Sequence, residues 1–182
     1  MTGLIILCVI IVLALILVAM YNGLVKAKVR TEESKSQIEV QLERRGSLIP
    51  NLVETVKGYA KHEQETLEKV IAARNAMISA GDLSEKMEHS NELAQGLKSI
   101  FALAESYPDL KANTNFLQLQ EELTNTENKV SYARQLYNSS VADYNIKVRS
   151  FPTNIIAKMF SFKEAPLLEA PQELREVPKV SF

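Results

Sequence analysis

The chain has 182 residues, with one cysteine, no tryptophan and six each of glycine and proline. Its formal charge is -1, because 21 Lys and Arg barely balance 22 Asp and Glu, and this excludes a general nucleic-acid binder, which needs a basic surface to neutralise phosphates. A single cysteine excludes an intrachain disulfide, and so few glycines and prolines exclude Gly-rich phosphate loops and a chain of tight β-turns, leaving a helical protein as the expectation.

From Leu4 to Met20 every residue is apolar, a run that spans about 26 Å as a helix and reaches the roughly 30 Å of bilayer hydrocarbon once its flanks are added. No Lys or Arg precedes the run, and Ala19 lacks a small partner at Leu17, so an uncleaved anchor over residues 1–25 is expected rather than a cleaved signal. Cys8 reads as a small hydrophobe within the span. Lys26, Lys28 and Arg30 follow the span while nothing basic precedes it, which predicts the N-terminus outside and residues 26 onward in the cytoplasm. Ala19, Gly23 and Ala27 are four apart, a stripe that would let a second copy of the chain approach in the membrane, although chance spacing is the favoured reading.

The helix is expected to continue from Lys26 to Arg45, with Val29, Ile38, Val40 and Leu42 as its apolar residues, and to stop at Gly46. A second helix from Ser47 to Met77 follows from Ile49, Val53, Val56, Ala60, Leu67, Val70 and Met77, with Ser47 as N-cap, Pro50 in the first turn and Gly81 past the end. Asp82 with Glu85 reads as a capping box opening a third helix to about Ser106. Tyr107-Pro108-Asp109 breaks it, and a fourth helix is expected from about Leu110 to Val148. The predicted fold class is therefore all-α: an N-terminal transmembrane helix continuing into an antiparallel four-helix bundle over residues 26–150. Residues 26 to 45 rise roughly 30 Å whereas residues 47 to 77 would descend roughly 46 Å, so a bend at Gly23 or Gly58 is expected to incline the bundle toward the bilayer. Residues 151–163, with Ile155, Ile156, Met159, Phe160 and Phe162 beside Lys158 and Lys163, are either an interfacial anchor or a strap over the bundle end. Residues 164–182, with three prolines, read as a flexible tail.

No catalytic constellation is present. His62-Glu63 begins like a zinc-protease motif, but Thr66 stands where the second His is needed. Glu85, His89 and Glu92 share a helical face, yet no Glu-x-x-His occurs, as a di-iron bundle requires. No metal or other cofactor is therefore expected. Glu63, Glu127, Arg74, Arg134, Asn138 and Asn145 interrupt or border the apolar stripes. Buried charge is costly unless paired, which predicts cross-helix pairs such as Glu with Arg. Arg44-Arg45 reads either as a solvated helix C-terminus, the favoured reading, or as a partner contact.

Tyr21 to Val25, Ser36 to Leu42, Arg44-Arg45, Leu48 to Ala60, Tyr107 to Asn113, Asn115-Phe116, Leu119-Gln120, Thr126 to Asn128, Tyr137-Asn138, Tyr144-Asn145 and Phe151-Pro152 together resemble the LemA family of membrane-anchored bacterial proteins. The chain departs from that pattern at Lys35, Gly46-Ser47 and Met159 to Phe162. The resemblance implies one N-terminal span, a largely four-helix body and no established enzymatic activity. The leading expectation is a membrane-tethered interaction or scaffolding module whose partners are the lipid bilayer, other membrane proteins and a second copy of itself, with no nucleic acid. Its candidate interaction surface is Arg44, Arg45, Asn51, Glu54, Lys57 and Tyr59, beside an apolar stripe widened by Leu48, Leu52 and Tyr59. Rival readings are a membrane-shaping protein and a metal-binding or enzymatic bundle using His62, Glu63 or His89.

Overall fold

The computed structural model describes residues 1–60 and 62–169, and every regular element among them is helical. The helices are α1 (Thr2–Tyr59), α2 (Gln64–Ser79), α3 (Leu83–Ala104), α4 (Pro108–Lys111), α5 (Thr114–Arg149) and α6 (Thr153–Met159). The apolar run forms the start of α1, and from Leu4 to Val18 its large side chains are all exposed. The chain divides into two units. One comprises Met1–Ser36 with Gln135–Leu167; the other comprises Gln37–Arg134 with Leu168 and Glu169.

The expected helix break at Gly46 is absent. α1 runs through Gly46, Ser47 and Pro50 to Tyr59, so Ser47 is not an N-cap, and its hydroxyl donates to Arg44 O at 2.7 Å. Glycine is used here for closeness. A Cβ on Gly46 would lie 3.2 Å from Ile78 Cδ1 and 3.3 Å from Met77 Cε, so α2 comes close to the α1 backbone. Pro50 lacks the N–H that would bond Gly46 O. Arg74 of α2 replaces that donor, its Nε lying 3.2 Å from Gly46 O, and an interior proline is thereby accommodated.

The single helix predicted from Ser47 to Met77 is instead divided between Ala60 and Gln64. No glycine or proline lies in the sequence between Ala60 and Gln64, and from Lys61 to Thr66 the sequence offers no apolar side chain to continue the stripe. Cross-contacts fix the reversal: Tyr107 Oη donates to Glu63 at 3.2 Å, and Asn113 Nδ2 donates to Tyr59 Oη at 3.0 Å. α2 and α3 then pack along one another around buried Leu67, Val70, Leu93 and Leu97. At Gly96 a Cβ would stand 2.7 Å from Val70 Cγ2, so that crossing admits only glycine without a shift.

The α3 start is close to the expected capping box, with the return bond made to the residue before the N-cap. Asp82 Oδ1 accepts from Glu85 N at 2.9 Å, and Glu85 Oε2 accepts from Gly81 N at 3.2 Å. α5 opens with Asn113 Oδ1 accepting from Phe116 N at 3.0 Å. Such side-chain acceptors satisfy N–H groups that the first turn leaves unpaired.

In the unit of Met1–Ser36 and Gln135–Leu167, Leu24, Ile156 and Ala157 form a buried cluster against Met20, Val148 and Phe162. Thr31 and Ser34 are buried on α1, where they donate to Ala27 O at 3.1 Å and Arg30 O at 2.9 Å. Val29 and Val40, expected on the packed side, are exposed. α6 ends in a Schellman cap: Phe162 N donates to Ala157 O at 2.9 Å and Ser161 N to Lys158 O at 3.3 Å, with Ser161 at φ 57° where glycine is usual.

Residues 164–169 are not the start of a flexible tail. Asn145 pairs with Ala165 in both directions at 2.9 Å, Tyr144 Oη donates to Lys163 O at 2.8 Å, and Tyr137 Oη donates to Pro166 O at 3.1 Å. Residues 163–166 thus run beside α5, with backbone groups of Lys163, Ala165 and Pro166 satisfied by α5 side chains. The remainder of the predicted tail, residues 170–182, lies outside the described residues.

Candidate interaction surface and its buried anchor

The two arginines of Arg44-Arg45 part company because they are adjacent on one helix and so face different directions. Arg44 stays at the surface, 3.6 Å from Glu122. Arg45 is only 2% exposed. Its Nη1 forms an ion pair with Glu127 of α5 and donates to Ser90 of α3, at 2.9 Å to Oγ and 3.2 Å to the carbonyl. Both readings of Arg44-Arg45, solvated helix end and partner contact, fail for Arg45, since α1 continues past it and its side chain is enclosed. Burial pulls the Arg45 pKa below the ordinary arginine value, and the attraction of Glu127 opposes that pull. Its Nε has no partner among the described residues.

Arg45 and Glu127 lie in the wall of a groove of about 740 Å³ between α3 and α5, whose apolar lining includes Met87, Leu97, Phe101, Leu123 and Leu168. Glu88, Glu92, Glu169 and Lys98 also line it. Phe101 and Phe116 meet edge to face nearby, their centroids 6.2 Å apart. The expected pairing of stripe-interrupting carboxylates with arginine therefore holds for Glu127, with Arg45 as its partner. Arg74 serves Gly46 O, and Asn145 holds the extended segment.

The other predicted surface residues are disposed as follows. Asn51, Glu54 and Lys57 are exposed along one side of α1, and Tyr59 is 42% exposed with its hydroxyl engaged by Asn113. Leu52 is fully buried and Leu48 half-buried, so the widened apolar stripe turns into the core and leaves a polar strip outside. His89 pairs with Glu92, Nδ1 to Oε2 at 2.9 Å, on α3, and Glu63 is taken by Tyr107. Sequence reasoning missed Ser90, whose small size gives no signal beyond its place on the packed side of α3.

These features define a class: an all-helical protein whose long first helix begins in a fully exposed apolar segment and ends in a packed body tied together by an enclosed arginine. The LemA family model matches residues 34–182, and the chain belongs to the LemA family. Protein LemA of Metamycoplasma hominis is 24% identical over 150 residues, covering 82% of this chain and 68% of that protein. Magnetosome protein MamQ 2 of Paramagnetospirillum magneticum is 24% identical over 171 residues, covering 80% of this chain and 63% of its own length. Magnetosome protein MamQ of Magnetospirillum gryphiswaldense is 21% identical, covering 79% and 62%. The chain thus spans less than two thirds of the magnetosome relatives. The long apolar segment of α1 is compatible with a membrane location.

Proposed function

We propose that this protein is a membrane-tethered interaction module that scaffolds or modulates other membrane proteins without chemistry of its own. The observation that carries the reading is the continuity of α1, in which side chains exposed from Leu4 to Val18 lead, without a break, into residues buried from Leu24 to Val56. The first stretch is solvated favourably only by lipid. In this reading the body is an antiparallel four-helix bundle and faces the cytoplasm, as Lys26, Lys28 and Arg30 on one side of the span favour. The contact surface is the strip of Arg44, Asn51, Glu54 and Lys57, with Tyr59 at its end; a second copy of the chain is one candidate occupant. A membrane-shaping role is the second reading, prompted by the exposed apolar side chains of Phe151, Ile155, Met159 and Phe160.

The test is in-cell crosslinking of the full chain carrying Asn51→Ala with Lys57→Ala. Loss of crosslinked partners at an unchanged melting temperature is expected. Retention of every partner removes this strip as the contact.

A further inference from the structure

We infer that the outward face of α6 lies in the polar boundary layer of the lipid bilayer, as a second membrane contact beside the N-terminal span. The inference rests on the reading that Leu4 to Met20 crosses the bilayer. Two faces of α6 differ sharply. Ile156 and Ala157 are 3% and 1% exposed, whereas Ile155 is 50%, Met159 70% and Phe160 55% exposed, and Phe151 just before the helix is 80% exposed. Contiguous large apolar side chains of this kind are rare on a surface that meets only water.

What covers that face follows from where α6 is fastened. Its buried side packs on Leu24 and Met20, and the Tyr21 ring lies 4.8 Å from Phe160 and 5.8 Å from Phe162, centroid to centroid. Met20 is the last residue of the apolar run, and Tyr21 and Leu24 fall in the flank that completes the span, so these contacts lie along about the last 6 Å of helix before the hydrocarbon ends. Covalent continuity therefore sets the depth of α6 at the interface, where aromatic rings are favoured. Lys158 and Lys163 lie on the same segment, and their long stems can carry the ammonium groups up to lipid phosphates. A soluble partner would have to compete with lipid already present at that depth.

The chain has no tryptophan, so single substitutions report depth without background. Full-length protein carrying Val12→Trp, Phe151→Trp or Met159→Trp is reconstituted in vesicles of phosphatidylcholine and phosphatidylglycerol, with lipids brominated either near the headgroup or at mid-chain. Blue-shifted emission from Phe151→Trp and Met159→Trp, quenched more by shallow than by deep bromine, is expected, with Val12→Trp quenched most by deep bromine. Water-like emission at both α6 positions overturns the inference. Blue-shifted emission that neither bromolipid quenches also overturns it, because protein then covers the face. If Val12→Trp is unquenched, the membrane reading itself fails and this inference fails with it; if only the α6 probes are unquenched, the span stands and this inference alone is lost.

Discussion

Arg45 couples three helices through one guanidinium, and its substitution separates the value of the pair from the cost of breaking it. Arg45→Ala removes the cation from Glu127 and the donor from Ser90 and opens space in the groove wall. We expect a loss of about 2–4 kcal/mol, the lower part of the range for broken buried pairs, because the Glu127 side chain is 45% exposed and keeps some water. Replacing both charges, with Arg45→Met and Glu127→Leu together, leaves no unpaired charge, only the Ser90 acceptors without their donor, and stability should return to within about 1 kcal/mol of the parent. Urea denaturation of the full chain in detergent micelles measures both. Much of this site was legible residue by residue: Glu127 stood out as a carboxylate needing a cation. Its partner was hidden by the rule that places charge outside. On α1 the packed face passes through Leu24, Ala27, Thr31, Ser34, Ile38, Leu42, Arg45 and Ile49, and three polar members interrupt the hydrophobic signal. Val29 and Val40 are apolar but a step out of phase, and they carry a misleading signal.

Among the elements, the union of Gly46, Pro50 and Arg74 determines how α1 accommodates a proline that ordinarily kinks a helix. Arg74→Ala should cost about 1–2 kcal/mol, since it leaves Gly46 O without its donor. In a Pro50→Ala background the backbone N–H of residue 50 can bond Gly46 O directly, so the same substitution should cost much less. A double-mutant cycle read by thermal unfolding checks the coupling, and additive effects would refute it. Propensity alone could not place the real end of α1, because the apolar spacing passes unbroken from Val56 and Ala60 to Leu67 while the chain turns. The extended segment beside α5 gives a prediction in pH. Arg149 donates to Glu164, with Nε to Oε1 at 2.8 Å, and this hydrogen bond holds the Glu164 carboxyl below its ordinary range. A depressed pKa stabilises the bound segment above the unfolded value and loses that contribution as pH falls through the folded one. The protection of the Ala165 amide against hydrogen exchange, taken relative to the intrinsic rate at each pH, should therefore fall on acidification below the ordinary carboxylate range, and Glu164→Gln should flatten that dependence. The effect is small because both groups face solvent.

For the whole molecule, the positive residues after the span make one prediction about sidedness. In a Cys8→Ala background, a cysteine at Asn125, an exposed position on α5, should resist a membrane-impermeant maleimide added to intact cells and react after lysis. Reaction in intact cells would reverse the orientation. The all-helical class was readable from composition and period, since each long segment carries its own apolar stripe. The two-unit division was not, because it depends on distant parts of the chain meeting.

That division fixes an order of events during synthesis. One unit joins Met1–Ser36 to Gln135–Leu167, while Gln37–Arg134 supplies most of the other. At translation speeds of roughly 5–20 residues per second, the ribosome needs about 5–20 s to pass from the first partner to the second. Throughout that interval Leu24, Thr31 and Ser34 have emerged but nothing exists to cover them. The span can enter the membrane meanwhile, and residues 37–134 can condense on their own contacts, which shortens the loop that remains to be closed. The end of α5 together with α6 then completes a unit whose first half was made long before, so a ribosome stalled soon after Arg134 leaves a nascent protein already anchored, already half folded, and still exposing the face meant for the end of α5 and for α6.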